Sequence, residues 1–241
     1  MHKLIEEAFT EVFMKLSQLF SKPPQIVRDV LKDSLTFLER EALNDLFQTV
    51  RNCEEKKLAG VLIEAGCAAG GSAIVITAAK DPARSFFVYD VFGMIPEPSK
   101  KDGADVIQRY EVIKKGEAKG IGDRDYYGYV PDLLAEVEKS FSKHGYPTSK
   151  NNVKLVKGLF SDTITGSEPV ALAHLDGDWY DSVMVCLERI APRLVIGGTL
   201  VIDDYDAWSG CRKAVDDYFA DKGSKFKFVK KSRLHIVRVT T

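Results

Sequence analysis

The chain has 241 residues, of which 45% are hydrophobic and 29% charged, a balance that fits one good-sized folded α/β domain and excludes a disordered or fibrous chain. Its 34 basic and 35 acidic residues cancel to a net charge of -1, leaving no field to collect nucleic acid or an anionic membrane. No apolar run approaches the roughly 18 residues of a membrane span. The four cysteines, Cys53, Cys67, Cys186 and Cys211, form no C-x-x-C pair, so neither a zinc ribbon nor a dithiol motif is present and a reduced cytoplasm is the expected home.

Residues 1–21 repeat apolar side chains at Ile5, Phe9, Val12, Phe13, Leu16 and Phe20, the spacing of an amphipathic helix that Pro23 and Pro24 stop. Glu6, Glu7, Glu11 and Lys15 interrupt the stripe and exclude the continuous apolar region of a secretory signal. Such a stripe needs cover, from its own domain or from a second copy of the chain in a homo-oligomer. A second helical stretch is expected over residues 26–53. Residues 1–57 therefore read as a helical segment that packs, dimerises or acts as a lid.

From residue 58 short β-rich runs alternate with helical segments. The runs are Val61 to Glu64, Ser85 to Val91, Val153 to Phe160, Val170 to Asp176, Thr199 to Asp203, Phe226 to Val229 and His235 to Val239. The alternation predicts an α/β fold with a seven-stranded, mostly parallel sheet wrapped by helices. The last two runs read as a hairpin, which puts one antiparallel strand at the end of the sheet. Between the second and third runs lies a polar insertion, about 93–152, carrying Tyr126, Tyr127 and Tyr129. A connection of that length forms either a helical crossover with a surface excursion or a mobile lid.

The first strand runs into Glu64-Ala65-Gly66-Cys67-Ala68-Ala69-Gly70-Gly71-Ser72, which opens a helix. Glycines here let the backbone approach a ligand at a helix N-terminus or simply make a tight turn. Position 68 is Ala where a dinucleotide fingerprint has its second glycine, which argues against a nicotinamide oxidoreductase. Glu64 would repel phosphates and suits a ligand with a cationic amine, such as S-adenosylmethionine (SAM). The candidate contacts are Glu64, Ala65, Gly66, Cys67, Gly70 and Ser72. Asp90 ends the second strand about 20 residues on, where it accepts hydrogen bonds from ribose hydroxyls or caps a helix. Phe160 and Ser161, after the third strand, are placed to sandwich an adenine and bond its edge, with a core role for Phe160 as the alternative.

Four carboxylates, Asp176, Asp178, Asp203 and Asp204, stand at the ends of two apolar runs, and the carboxyl ends of parallel strands converge on one cleft. Crowded carboxylates raise one another's pKa unless a cation shares the site. An all-oxygen donor set favours Mg²⁺ or Ca²⁺ over Zn²⁺. His174, two residues deeper on the strand, reads as a hydrogen-bonded core histidine. Trp179 and Tyr180 either wall an acceptor or pack the next helix, and Arg212 either pairs with Asp216 at i+4 or touches substrate.

Three stretches, Glu64 to Ser72, Leu175-Asp176-Gly177-Asp178-Trp179-Tyr180-Asp181-Ser182, and Ile202-Asp203-Asp204-Tyr205 with Gly210 to Tyr218, carry a resemblance to the class I SAM-dependent methyltransferases. More narrowly, the chain resembles the macrocin O-methyltransferase family, whose members methylate sugar hydroxyls of antibiotics. The resemblance implies a Rossmann-like methyltransferase domain over 58–241, SAM as donor, and Mg²⁺ held by Asp176, Asp203 and Asp204. It further implies Asp178 as general base, with Asp176 also at the reacting centre, and a hydroxylated small-molecule acceptor. A catechol acceptor and a non-catalytic SAM-binding protein are the competing readings.

Overall fold

The computed structural model describes residues 23–240, so the amphipathic stripe expected over residues 1–21 lies outside the described residues. The sheet starts from apolar runs that can be buried on both faces. The fourth strand, β4 (Val170–Leu175), is buried at every position, as the interior of a parallel sheet requires. Around it lie β1 (Val61–Ala65), β2 (Phe86–Asp90), β3 (Val153–Lys157), β5 (Leu194–Ile202), β6 (Phe226–Lys230) and β7 (Leu234–Arg238), in the order β3-β2-β1-β4-β5-β7-β6.

The strand order reverses between β1 and β4, because the chain runs outward through β2 and β3 before returning to the centre. A crevice opens at the strand tips wherever an open sheet switches direction in this way. β7 pairs antiparallel with both β5 and β6. The reversed strand therefore sits one place in from the edge rather than at the end of the sheet, since the returning arm of the hairpin inserts beside β5 and leaves β6 outermost.

Each face of the sheet carries helices. Leu62, Val88, Leu172 and Val201 point to α1 (Gln25–Lys32), α2 (Arg40–Glu55) and α3 (Gly71–Ala79). Ile63, Ala173, Leu200 and Ile202 point to α7 (Tyr180–Ile190) and α8 (Ser209–Phe219). This alternation is the period of two expected of strands. The single helix expected over 26–53 is two, broken where Ser34 takes a left-handed backbone (φ 55°). The break lets Leu35 bury and its carbonyl accept the Gly71 N–H at 2.9 Å, which ties this segment to the start of α3.

The third strand ends at Lys157 instead of Phe160, because Gly158 (φ 146°) turns the chain and Phe160–Thr163 forms one helical turn, α6. The 93–152 insertion contains α4 (Ala104–Lys114) and α5 (Leu133–Lys143). Asp132 caps α5 by accepting the Ala135 N–H at 3.2 Å, and Leu133, Val137 and Phe141, four apart, form its buried stripe. Val106 and Ile113 of α4 join Ile95, Tyr126 and Trp179 in a separate apolar cluster that roofs the crevice.

Candidate active site

Gly66 directly follows β1 with a φ of 91°, and a Cβ there would lie 1.8 Å from the Asp176 carbonyl oxygen. Only glycine lets the tips of β1 and β4 lie this close, with the Asp176 N–H bonded to the Ala65 carbonyl at 2.9 Å. Asp90 shapes the turn that follows. Its Oδ2 accepts the N–H groups of Cys67 at 2.8 Å and Ala68 at 3.3 Å, and its Oδ1 accepts that of Phe92 at 2.7 Å. Ala68 sits in the left-handed region (φ 46°), so the turn keeps a conformation that glycine would adopt more cheaply.

Gly66, Asp90, Phe160 and Asp176 line one cavity, together with Asp178, Asp203 and Asp204. Ala65, Cys67 and Ser72 are buried around the turn, and Gly70 is the left-handed cap of α3. Ser161 borders a neighbouring hollow instead. Glu64, expected to face a cationic amine, is fully buried on the sheet face under the helices, with Oε1 2.8 Å from His174 Nδ1. The same register row explains the pairing, since Glu64 and His174 are lateral neighbours on β1 and β4. His174 is thus the hydrogen-bonded core histidine expected.

The acidic groups gather at the tips of β4 and β5. Carboxylate oxygens of Asp176, Asp178 and Asp204 lie within 4.8 Å of one another. Asp204 Oδ2 also accepts the Asp178 backbone N–H at 3.0 Å. Desolvation, then the charges of Asp204, Asp203 and Asp178, push Asp176 well above the usual carboxylate range. Asp204 rises for the same reasons, led by burial and then by Asp178. Asp178 is pushed up to about 7 by desolvation and the Asp203 charge, against the opposing Trp208 indole and Arg109. Such a strained set of oxygens is what a divalent ion relieves, so the donors fit Mg²⁺.

Asp203 stands apart electrostatically. Burial alone would raise its pKa, but His174 and Arg233 outweigh burial and hold it below the usual range. Arg233 Nε donates to Asp203 Oδ1 at 2.7 Å and its other nitrogens grip Glu39 at 2.6 and 2.9 Å. His174, itself raised to about 9 against the opposing effect of burial, has Nε2 3.7 Å from the same Oδ1. The two cationic neighbours thus favour the Asp203 carboxylate, whereas burial and the Asp203 charge raise Asp178.

The cavity's remaining wall comes mostly from the insertion and the loops after β4 and β5: Ile95, Arg109, Tyr126, Tyr127, Trp179 and Trp208. Trp179 is held by its indole N–H donating to the Pro96 carbonyl at 3.0 Å and meets Trp208 edge-on at 5.8 Å. Tyr180 points the other way, into the α7 core, with its hydroxyl 2.9 Å from Asp217. Arg212 pairs with Asp206 at 3.3 Å and with the Tyr205 carbonyl, while Asp216 is taken by the Tyr205 hydroxyl, so the i+4 pair does not form. The reading of the sequence missed Arg109 and Trp208. Each is a single residue at no diagnostic spacing, and only the convergence of distant segments brings them to the crevice.

A parallel sheet with a switch-point crevice, a glycine turn on a carboxylate at the tip of the second strand, and a reversed strand inserted beside the fifth define a class I methyltransferase. The profile of the macrocin O-methyltransferase (TylF) family matches residues 11–230. The chain belongs to that family, and it is a SAM-dependent O-methyltransferase. It is 31% identical over 89% of its length to an 8-demethyl-8-(2,3-dimethoxy-alpha-L-rhamnosyl)-tetracenomycin-C 4'-O-methyltransferase of Streptomyces olivaceus, covering 79% of that protein. A demethyldecarbamoylnovobiocin O-methyltransferase of Streptomyces niveus is 26% identical, with 80% of this chain and 71% of the relative covered. Among solved structures, the O-methyltransferase NovP shares the fold with a TM-score of 0.70 at 22% identity, over 86% of this chain and 83% of that one. No helix among the described residues is long and apolar enough to cross a membrane.

Proposed function

We propose that this enzyme methylates a hydroxyl of a sugar or similar natural-product acceptor in a reaction that depends on Mg²⁺. The observation that carries the proposal is the cluster of Asp176, Asp178 and Asp204 oxygens within 4.8 Å, in the same cavity as the Gly66 turn and Asp90. SAM supplies an electrophilic methyl group; Gly66, Asp90 and Phe160, which line the cavity, would hold it. The third oxygen gathered with those of Asp176 and Asp204 belongs to Asp178 and not to Asp203. Asp176 and Asp204 would hold the ion, and Asp203, kept charged by Arg233 and His174 at its Oδ1, would complete the set that the family resemblance implies. When bound, Mg²⁺ lowers the pKa of a coordinated hydroxyl and stabilises developing negative charge on its oxygen.

Asp178 accepts the proton as the acceptor oxygen forms its bond to the methyl carbon and the bond from that carbon to sulfur breaks. Asp178 lines the same cavity, within reach of an acceptor hydroxyl bound there, which is the geometry a general base needs. The aromatic and apolar wall excludes water, which strengthens each electrostatic contact inside. Relatives named for a rhamnosyl-tetracenomycin and a novobiocin precursor support a glycosylated or similar natural-product acceptor.

The test is methyl transfer from labelled SAM to a panel of glycosylated aromatics and macrolides, with catechols for comparison, after removal of metal with EDTA. Turnover is expected to vanish and to return with added Mg²⁺. Asp204→Asn should lower turnover by at least about 10²-fold while SAM affinity, read by calorimetry, stays within a few-fold. Full activity in EDTA would overturn the metal-dependent mechanism.

A further inference from the structure

Arg109 is the one basic side chain among the residues described as lining the cavity, which it shares with several aspartates. It reaches the crevice from α4 and lies over the face of Tyr126, with its guanidinium carbon 5.5 Å from the ring centroid. Tyr126 is itself buried and braced by the rings of Tyr127 and Tyr129, at 4.4 and 5.1 Å. The guanidinium therefore rests on a rigid aromatic platform. None of Asp176, Asp178, Asp203 and Asp204 lies within ion-pair distance of it, and among the described residues its donors meet no hydrogen-bond partner. Arg233 shows the contrast, bonding Asp203 at 2.7 Å and forking onto Glu39.

An arginine placed to neutralise the acidic cluster would fork onto a carboxylate in the same way. Among the described residues Arg109 instead has no partner for its planar set of donors, and it lies on the cavity wall near enough to Asp178 to influence its charge. The rest of the cavity's charged lining is carboxylate, which repels anions, so among the described charged side chains Arg109 is the favourable place for an anionic group entering here. We infer that Arg109 is an oxyanion subsite for the acceptor, which is a hydroxylated molecule bearing a carboxylate or phosphate. That group pairs with the guanidinium while the reacting hydroxyl faces Asp178. The inference rests on the functional reading above, in which this cavity admits a hydroxylated acceptor, and it deepens that reading by naming the acceptor's charge.

The experiment uses the full chain with Mg²⁺ and S-adenosylhomocysteine, and follows the fluorescence of Trp179 and Trp208 in the cavity wall. Phenyl β-D-glucuronide and phenyl β-D-glucoside differ only at C6, a carboxylate in one and a hydroxymethyl group in the other, and phenyl phosphate tests phosphate in place of carboxylate as the bound oxyanion. The wild type is expected to bind the glucuronide or the phosphate at least about ten-fold more tightly than the glucoside, the range of one charge-assisted pair. Arg109→Gln should erase that preference, with S-adenosylhomocysteine affinity within about two-fold of wild type, and Arg109→Lys should restore part of it. Equal binding of all three probes, no binding of any, or a preference that survives Arg109→Gln overturns the inference. Loss of S-adenosylhomocysteine binding by the wild type would instead sink the parent reading, and this one with it. If Arg109 served only to tune Asp178, the glutamine variant would move the pH profile of turnover and leave probe preference untouched, which also counts against the inference.

Discussion

Asp178 occupies a left-handed backbone position (φ 53°) between the tip of β4 and the start of α7. Asn and Asp tolerate that region better than other side chains, so Asp178→Asn removes the base without disturbing the turn. The expected outcome is a fall in kcat of roughly 10² to 10⁴-fold with SAM affinity nearly unchanged, measured by single-turnover kinetics and calorimetry. An equal loss of SAM binding would mean that the residue holds the turn rather than the proton. Asp178 and its neighbours were legible in the sequence because acidic residues at the end of an apolar strand have no structural reason to cluster. Arg109 was not, since an arginine on a polar helix in an insertion looks like any solvated surface charge.

The tips of β1 and β4 meet because Gly66 has no side chain, and the same contact sets where the glycine turn and Asp176 stand relative to each other. Gly66→Ala forces a Cβ against the Asp176 carbonyl at a backbone angle that disfavours alanine, so it should destabilise the protein by at least about 3 kcal/mol. Thermal unfolding checks this, and a variant with unchanged Tm would show that the strand tips are not this tightly fitted. Helix and strand identities followed from periodicity, as with the Leu133, Val137 and Phe141 stripe of α5. Their ends did not. Ser34 breaks the expected N-terminal helix and Gly158 ends β3 early, because each boundary is decided by what the turn packs against rather than by local propensity.

The turn between β6 and β7 is clamped to α2, with Asp45 accepting from Lys231 at 3.1 Å and from Ser232 at 2.7 Å, while Nε2 of His235 on β7 lies 3.1 Å from its Oδ2. This clamp joins the two ends of the described chain across the sheet. Burial alone would raise the Asp45 pKa, but His235, Lys231 and Ser232 bring it down to about 2 from the usual 3.8. A carboxylate depressed in the folded state adds stability above its unfolded pKa, and that stability fades as pH falls from about 4 towards 2. Asp45→Asn should therefore cost about 1–2 kcal/mol at pH 7, allowing for the part of the group still screened by solvent, and flatten the acid limb of Tm against pH. Identical acid limbs in the two proteins would rule the clamp out. The strand and helix content, the parallel sheet and the acidic cluster were all written locally, since periodicity and strand-end carboxylates are properties of short segments. The insertion of β7 beside β5, the burial of Glu64 against His174, the grip of Arg233 on Asp203 and the arrival of Arg109 in the crevice are not. They depend on segments as many as 194 residues apart meeting across the sheet and at its strand tips, and no local pattern encodes which charge meets which.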